Sequence, residues 1–490
     1  MAEPSRRLFL GAGAALLLAG CAAQPPGGAL PGTPDSRTAP RAGGATVSSL
    51  LNQSPFHIAH RGSGDNWPEH TMAAYQGAVD AGAPAIEVSV CATRDGVLVC
   101  HHDTNTLRMT GADLEIADSD YGRITVLKND ARSWLGPGAR LEPIPRLEDV
   151  LDRFAGNQVI FIEDKQGTNT QALLGLMDKY PDANEHFVWK QTAGAPGYEA
   201  AASRGYRTWG YFIDNSNNQF EALAPKFDLL GIYHGATDEE IKALVAFGKP
   251  VICWEIHTRW MRDRVLGLGV RGLMCSNYPY VAGDEASAAR DAFATGVRSA
   301  GDLPWVLGLK YQPEILPREK TVRLAHDSTS GYLLGSMGPL TSGDQEIQLE
   351  IRWPELPPGR HAGAGLAFGM PDDSPYRAGI PGTVGGYHVL LRASGAVEVY
   401  RRNVTRGEEA TADELIGSFA TEPVASGTWT GLSVSMDSQG LTVKRRGGAE
   451  AWSASIPDTA YRGGYLGLLK SYPDPVAVDF RSVTAGSATA

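Results

Sequence analysis

FHIAHRGSGDNWPEHTMAAYQGAVDAGAPAIEVSVCATRDGVLVCHHD, residues 56–103, is the stretch on which the reading of the chain turns. Phe56-His57-Ile58-Ala59 is an apolar run of buried-strand length, so His60 and Arg61 fall at its C-terminal end, where Gly62 lets the backbone turn sharply. Glu69 to Gly82 has helical apolar spacing closed by a glycine. Ala85 to Val90 reads as a second strand on which Glu87 and Ser89, two apart, share one face. Such groups facing a barrel interior are costly to bury unless something binds them. Val97 to Cys100 then carries His102-Asp103 back toward the same rim. Imidazoles, a guanidinium and carboxylates gathered at strand ends are placed as parallel α/β folds place their chemistry, and the set points to phosphate-ester cleavage.

Working outward, short apolar runs alternate with helical segments from Pro55 to about Gly283. The predicted strands are Phe56 to Ala59, Ala85 to Val90, Val159 to Glu163, Phe187 to Lys190, Tyr206 to Ile213, Phe227 to Tyr233, Val251 to Glu255 and Gly272 to Cys275. With crossovers between them they predict an α/β fold, a closed (β/α)8 TIM barrel. Thr104 to Glu142 is too long for an ordinary βα loop and is expected as an insertion near the barrel mouth. Beyond about Ser299 the helical segments stop. Alternating runs such as Gln345 to Trp353, Gly386 to Arg392 and Gly431 to Met436, broken by turn signals, predict an all-β antiparallel sandwich. It weakly resembles jelly-roll, concanavalin-like domains. Two readings of it stand: a structural or docking module, or a glycan-binding platform of exposed Tyr or Trp.

The motifs in residues 54–296 resemble the glycerophosphodiester phosphodiesterase family, whose signature is HR, a P-E-N-T-like element, E-x-D, and HD. The matching residues are His60-Arg61-Gly62, Pro68-Glu69-His70-Thr71, Glu87-x-Ser89 and His102-Asp103, followed by Ile144-Pro145-Arg146-Leu147-Glu148-Asp149-Val150-Leu151, Ile162-Glu163-Asp164-Lys165, Trp254 and Ser276-Asn277-Tyr278-Pro279. The resemblance implies His60 and His102 as the catalytic acid–base pair, since a phosphodiester needs a proton removed from the attacking oxygen and one given to the leaving one. It implies Arg61 and Lys165 on the phosphate, Trp254 in the substrate pocket, and Glu87 and Glu163 as ligands of a divalent cation, Mg²⁺ or Ca²⁺. Glu69, Ser89 and Lys190 are supporting candidates. The sequence departs from the pattern at Ser89, where the family has a metal-binding Asp, at His70 for Asn, and at Asn277 for the usual Asp. A missing carboxylate predicts a weakly bound metal.

The implied reaction is hydrolysis of a glycerophosphodiester, or of a glycerol-phosphate polymer, to an alcohol and glycerol phosphate. Two alternatives stand beside it: a lyase of the sphingomyelinase D type giving a cyclic phosphate, to which Asn277 is comparable, and a non-catalytic lipoprotein binding phosphodiesters or cell-wall polymer, which Ser89 favours.

The chain has 490 residues, 42% hydrophobic and 20% charged, with a formal net charge of −11. No basic excess exists to neutralise a nucleic-acid backbone, so general nucleic-acid binding is not expected. Ser5-Arg6-Arg7-Leu8-Phe9-Leu10 resembles a twin-arginine export signal, and Leu18-Ala19-Gly20-Cys21 resembles a bacterial lipobox with Cys21 as the lipidated residue. The expected organisation is therefore 1–21 signal, 22–50 flexible Pro-, Gly- and Ala-rich tether, 51–298 barrel and 299–490 sandwich, anchored through Cys21 on the outer face of the cytoplasmic membrane. Apart from Cys21 the cysteines are Cys91, Cys100, Cys253 and Cys275. Taking Asp95-Gly96 as a two-residue hairpin turn pairs Cys91 with Cys100 and predicts a cross-strand disulfide; Cys253 and Cys275, on neighbouring strands, are a second candidate pair. Four buried free thiols are the competing reading.

Overall fold

Every second residue of a parallel barrel strand faces the inside, and the apolar residues of this chain sort that way. The strands are Phe56–Ala59, Ala85–Ala92, Val159–Asp164, Phe187–Thr192, Arg207–Phe212, Leu229–Tyr233, Val251–Ile256 and Gly272–Cys275. Each pairs in parallel with the next, and the first closes the ring by pairing with both the last, Phe56 opposite Gly272, and the second, Ala59 opposite Ile86. Phe56, Ile58, Val159, Phe161, Val188, Trp209, Ile252 and Met274 fill the interior. Their alternates Ile86, Val88, Ile160, Ile162, Phe187 and Leu273 pack outward with helix residues such as Leu151, Leu173 and Leu244. The expected (β/α)8 barrel is therefore present.

The computed structural model describes residues 44–302, 313–325, 334–359, 361–374, 385–403, 413–447, 451–471 and 476–487. The signal, Cys21 and most of the expected tether lie outside these residues. The last part of that tether belongs to the fold instead, because Val47 and Leu50 of the helix Val47–Leu51 are buried in the inner cluster. Among the described residues no helix is long and apolar enough to cross a membrane.

The hairpin after the second strand corrects the cysteine reading. Leu98–Cys100 pairs with Ala85–Ala92 so that Cys91 faces Val99 and Val90 faces Cys100. The turn holds three residues between Thr93 and Val97, with Gly96 at φ +82°, rather than two. A one-residue slip sends paired side chains to opposite faces. Cys91 accordingly joins the cluster under the insertion and Cys100 the outer barrel core. Both are free thiols, as are Cys253 and Cys275, where Cys253 faces Leu273 and Cys275 faces Ile256.

The C-terminal region is all-β, as expected. One antiparallel sheet runs in the order Glu314–Leu316, Thr321–Leu324, Val478–Ser487, Gln345–Arg352, Thr430–Asp437, Gly440–Arg446 and Trp452–Ile456. The other runs Leu334–Pro339, Tyr465–Ser471, Gly363–Met370, Gly386–Arg392, Val397–Arg402 and Asp413–Phe419. In Gln345–Arg352 burial alternates strictly, with Ile347, Leu349 and Ile351 inward, and these share one core with Leu366, Val389 and Leu468 of the facing sheet. Trp429 lies beneath the guanidinium groups of Arg352 and Arg481, and Trp452 packs on Phe419.

A buried carboxylate is among the contacts between barrel and sandwich. Asp373, from the sandwich, accepts the backbone N–H groups of Arg259 and Trp260 at 2.8 and 2.6 Å and the Tyr280 hydroxyl at 2.9 Å. It thus satisfies the first turn of the barrel helix Arg259–Gly267, whose leading N–H groups have no partner within the helix. Asp373→Ala leaves these donors buried and unpaired, and a urea melt should show a loss of about 2–3 kcal/mol.

Candidate active site

The C-terminal ends of the barrel strands deliver the charged groups to one rim. His60, Arg61 and Gly62 form a single tight turn, with Arg61 at φ +53° and Gly62 at φ +76°. A Cβ on Gly62 would meet Ala74 at 2.8 Å, so the close approach requires glycine. Arg61 is held in a backbone region costly for a non-glycine residue, and its N–H donates to Glu87 Oε2 at 2.9 Å.

The two histidines sit in opposite surroundings. His60 is buried, with Nδ1 2.8 Å from the Ser276 hydroxyl and Nε2 accepting from Arg61 Nε at 3.3 Å. These bonds assign the proton to Nδ1 and leave the lone pair on Nε2. Burial first, and then the Arg61 charge, pushes its pKa down to about 4, so it is neutral at physiological pH. His102 is more open, and its Nδ1 lies 2.6 Å from Asp103 Oδ1. Burial lowers its pKa on balance, and the Asp103 hydrogen bond offsets part of that shift.

A chain of ion pairs links the two. Arg61 Nη1 lies 3.1 Å from Glu69, which lies 2.5 Å from Arg108; Arg108 Nε lies 2.5 Å from Asp103, the partner of His102. Glu69 therefore braces the first loop. Asp103 positions His102, and Arg108 arrives from the short helix Leu107–Thr110 of the insertion. The insertion leans over the site as its length suggested: Trp134 Nε1 donates to the Gly64 carbonyl at 2.9 Å and Asn129 Nδ2 to the Glu69 carbonyl at 3.0 Å. A cavity of about 250 Å³ opens here, lined by His60, Arg61, Arg108, Trp134, Glu255 and His257 among others.

His257 and Glu255 were invisible to motif reading. Burial alone would lower the His257 pKa, but Asp65 at 2.6 Å and Glu255 at 3.4 Å outweigh it and raise it to about 9. His257 is therefore a third cation of the pocket. Because its folded pKa lies above the ordinary 6.5, the stabilisation is complete below pH 6.5 and is lost as pH rises through about 9. Thermal melts should show roughly 3 kcal/mol of stability disappearing across that window, and His257→Gln should flatten the decline.

Beneath the rim lie Glu87, Ser89, Glu163 and Lys190, all buried. The Lys190 ammonium sits between the carboxylates, 2.8 Å from Glu87 Oε1 and in direct contact with Glu163 Oε2. Ser89 donates to Glu87 Oε1 at 3.1 Å, Tyr211 donates to Glu163 Oε1 at 2.6 Å, and Lys165 stands 3.3 Å from that oxygen. Burial would raise both carboxyl groups, yet Lys190 holds both below their ordinary range. A hard cation needs several oxygens converging on open space. Every oxygen of the pair already faces a donor, and an ammonium fills the gap, so this arrangement does not fit Mg²⁺ or Ca²⁺. Among the described residues, no group of three or more His, Cys, Asp or Glu side chains is placed to hold a metal ion.

Trp254 packs against Tyr211 and Tyr233 at ring distances of 5.4 and 5.0 Å, in the aromatic layer of the barrel interior. Asn277 is fully buried and engaged with Asn66 and with the carbonyls of His257 and Ala300, so it braces loops.

Residues 60–195 match the model of the Glycerophosphoryl diester phosphodiesterase family. The chain is 40% identical over 90 residues to glycerophosphodiester phosphodiesterase GDPD6 of Arabidopsis thaliana, covering 18% of this chain and 22% of that protein. It is 27% identical over 236 residues to YhdW of Bacillus subtilis, covering 46% of this chain and 95% of that one. Among solved structures it is similar to a phosphodiesterase of Oleispira antarctica in complex with the product sn-glycerol-3-phosphate, at 20% identity and a TM-score of 0.41, over 47% of this chain and 96% of that one. YhdW apart, the chain spans between 22% and 52% of the length of the curated relatives it matches.

Proposed function

We propose that this chain is a phosphoric diester hydrolase that cleaves glycerophosphodiesters to an alcohol and glycerol phosphate. The observation that carries the reading is the pair His60 and His102, one held neutral and one backed by a carboxylate, beside a pocket carrying the cations Arg61, Arg108 and His257. The match of residues 60–195 to the phosphodiesterase family model supports it.

The unequal surroundings divide the labour. His60, with its proton on Nδ1, takes the proton from the attacking water at Nε2 once Arg61 Nε has turned from that nitrogen to the phosphate, as the oxygen–phosphorus bond forms. The phosphorus–oxygen bond to the alcohol breaks on the other side, and His102 gives its proton to the departing alkoxide. Asp103 stabilises His102 in the protonated form that this role needs. Arg61, with its planar fork, takes the phosphoryl oxygens. The two histidines then exchange protons through water to restore the starting state.

Attack by a neighbouring substrate hydroxyl would instead yield a cyclic phosphate, but Asn277, the residue that raised that alternative, is occupied with loop contacts. Anchoring on the outer membrane face through Cys21 belongs to this proposal and is tested by fractionating a Cys21→Ala protein. Phosphorus NMR of purified protein with glycerophosphocholine and related diesters is the decisive assay. Appearance of glycerol phosphate supports hydrolysis, accumulation of cyclic phosphate turns the reading to a lyase, and unchanged diester leaves the binding-protein alternative.

A further inference from the structure

Lys190 lies in the C-terminal half of Phe187–Thr192, the strand paired with the one that carries Glu163, and its ammonium lies where the two carboxylates converge. We propose that Lys190 is the resident cation of this site, standing in for the divalent metal that the family pattern implies, so that phosphodiester cleavage here is metal-independent. The proposal rests on the hydrolase reading of the same pocket.

The charges balance on that assignment. A Glu-x-Asp pair with a further Glu around a divalent ion sums to −1. Glu87 and Glu163 around one ammonium, with the neutral Ser89 in place of the Asp, also sum to −1. With one carboxylate fewer at position 89, the single charge of Lys190 gives the same balance, and the Ser89 hydroxyl donates into Glu87. An ammonium has three N–H donors. Two are spent on Glu87 and Glu163, and on this proposal the third is the one offered to the phosphate.

The position is also rigid. Lys190 is 6% exposed, and its nitrogen lies 5.2 Å from the Tyr211 ring centre and 5.7 Å from that of Trp209. A metal entering between the carboxylates would drive the ammonium from both counter-charges into aromatic surroundings, and a buried charge so separated is strongly destabilised.

The test begins with chelator-treated wild-type protein. Calorimetric titration with MgCl₂ and CaCl₂ should show no binding, and turnover should be unchanged by EDTA. Lys190→Met should lower turnover by about 10²-fold or more, by analogy with removal of one preorganised electrostatic stabiliser. Lys190→Met combined with Ser89→Asp should gain calorimetrically visible metal binding. Wild-type protein that binds either metal, loses that binding on Glu163→Gln and stops turning over in EDTA overturns the proposal. If the double variant does not fold, the wild-type titration still decides. Absence of turnover with and without metal overturns the hydrolase reading by itself, while the titration judges Lys190 independently.

Discussion

His60→Ala and His102→Ala are each expected to lower kcat by about 10²- to 10⁴-fold, the usual contribution of one general acid or base. The two losses should differ in pH dependence. Without His60 the neutral acceptor is gone, so the limb of the pH–rate profile set by its pKa of about 4 should vanish. Without His102 the donor is gone, and substrates with good leaving groups, which need no proton at departure, should recover much of the rate. Neither imidazole belongs to the apolar barrel core, so circular dichroism and thermal melts should show folded protein in both cases. Near-wild-type turnover by either variant on every diester tested would sink the acid–base assignment.

The second large effect is expected at Arg61. Arg61→Ala removes the fork that grips the phosphate and should reduce kcat/KM by about 10²- to 10³-fold, and Arg61→Lys, which keeps the charge and loses the planar fork, should fall between. A purely structural arginine would give the same loss of stability without a kinetic signature, so the pH profile is the informative readout. Arg61 is the second cause, after burial, of the depressed His60 pKa. Removing its charge should shift the acidic limb of the profile to higher pH. An unshifted limb together with unaltered KM would show that Arg61 faces neither His60 nor the phosphate in the working enzyme.

Much of this was legible from local sequence, because barrel strands announce themselves by short apolar runs and their C-terminal ends are fixed by the chain itself. His60, Arg61, Glu87, His102, Glu163 and Lys165 stand on or beside strand ends that could be read residue by residue, and the rim that gathers them follows from the parallel order of the strands. The separate all-β region was equally readable from its two-residue period, as the strict alternation of Gln345–Arg352 bears out.

What depended on the tertiary structure was every relation set by distance across the fold. The hairpin turn has three residues where a two-residue turn was expected, and that single step parted Cys91 from Cys100. Arg108 reaches Glu69 from 39 positions along the chain, out of an insertion whose length and place near the mouth were evident but whose contacts were not. Lys190 meets Glu87 across 103 positions because the strand bearing Glu163 lies between theirs. Periodicity and turn chemistry are properties of neighbours in sequence, so residues 56–103 could declare strands, faces and strand ends by themselves. Which charge lies between two carboxylates is settled by ring closure and by the cost of leaving any of those charges buried alone, and neither is written in a local pattern.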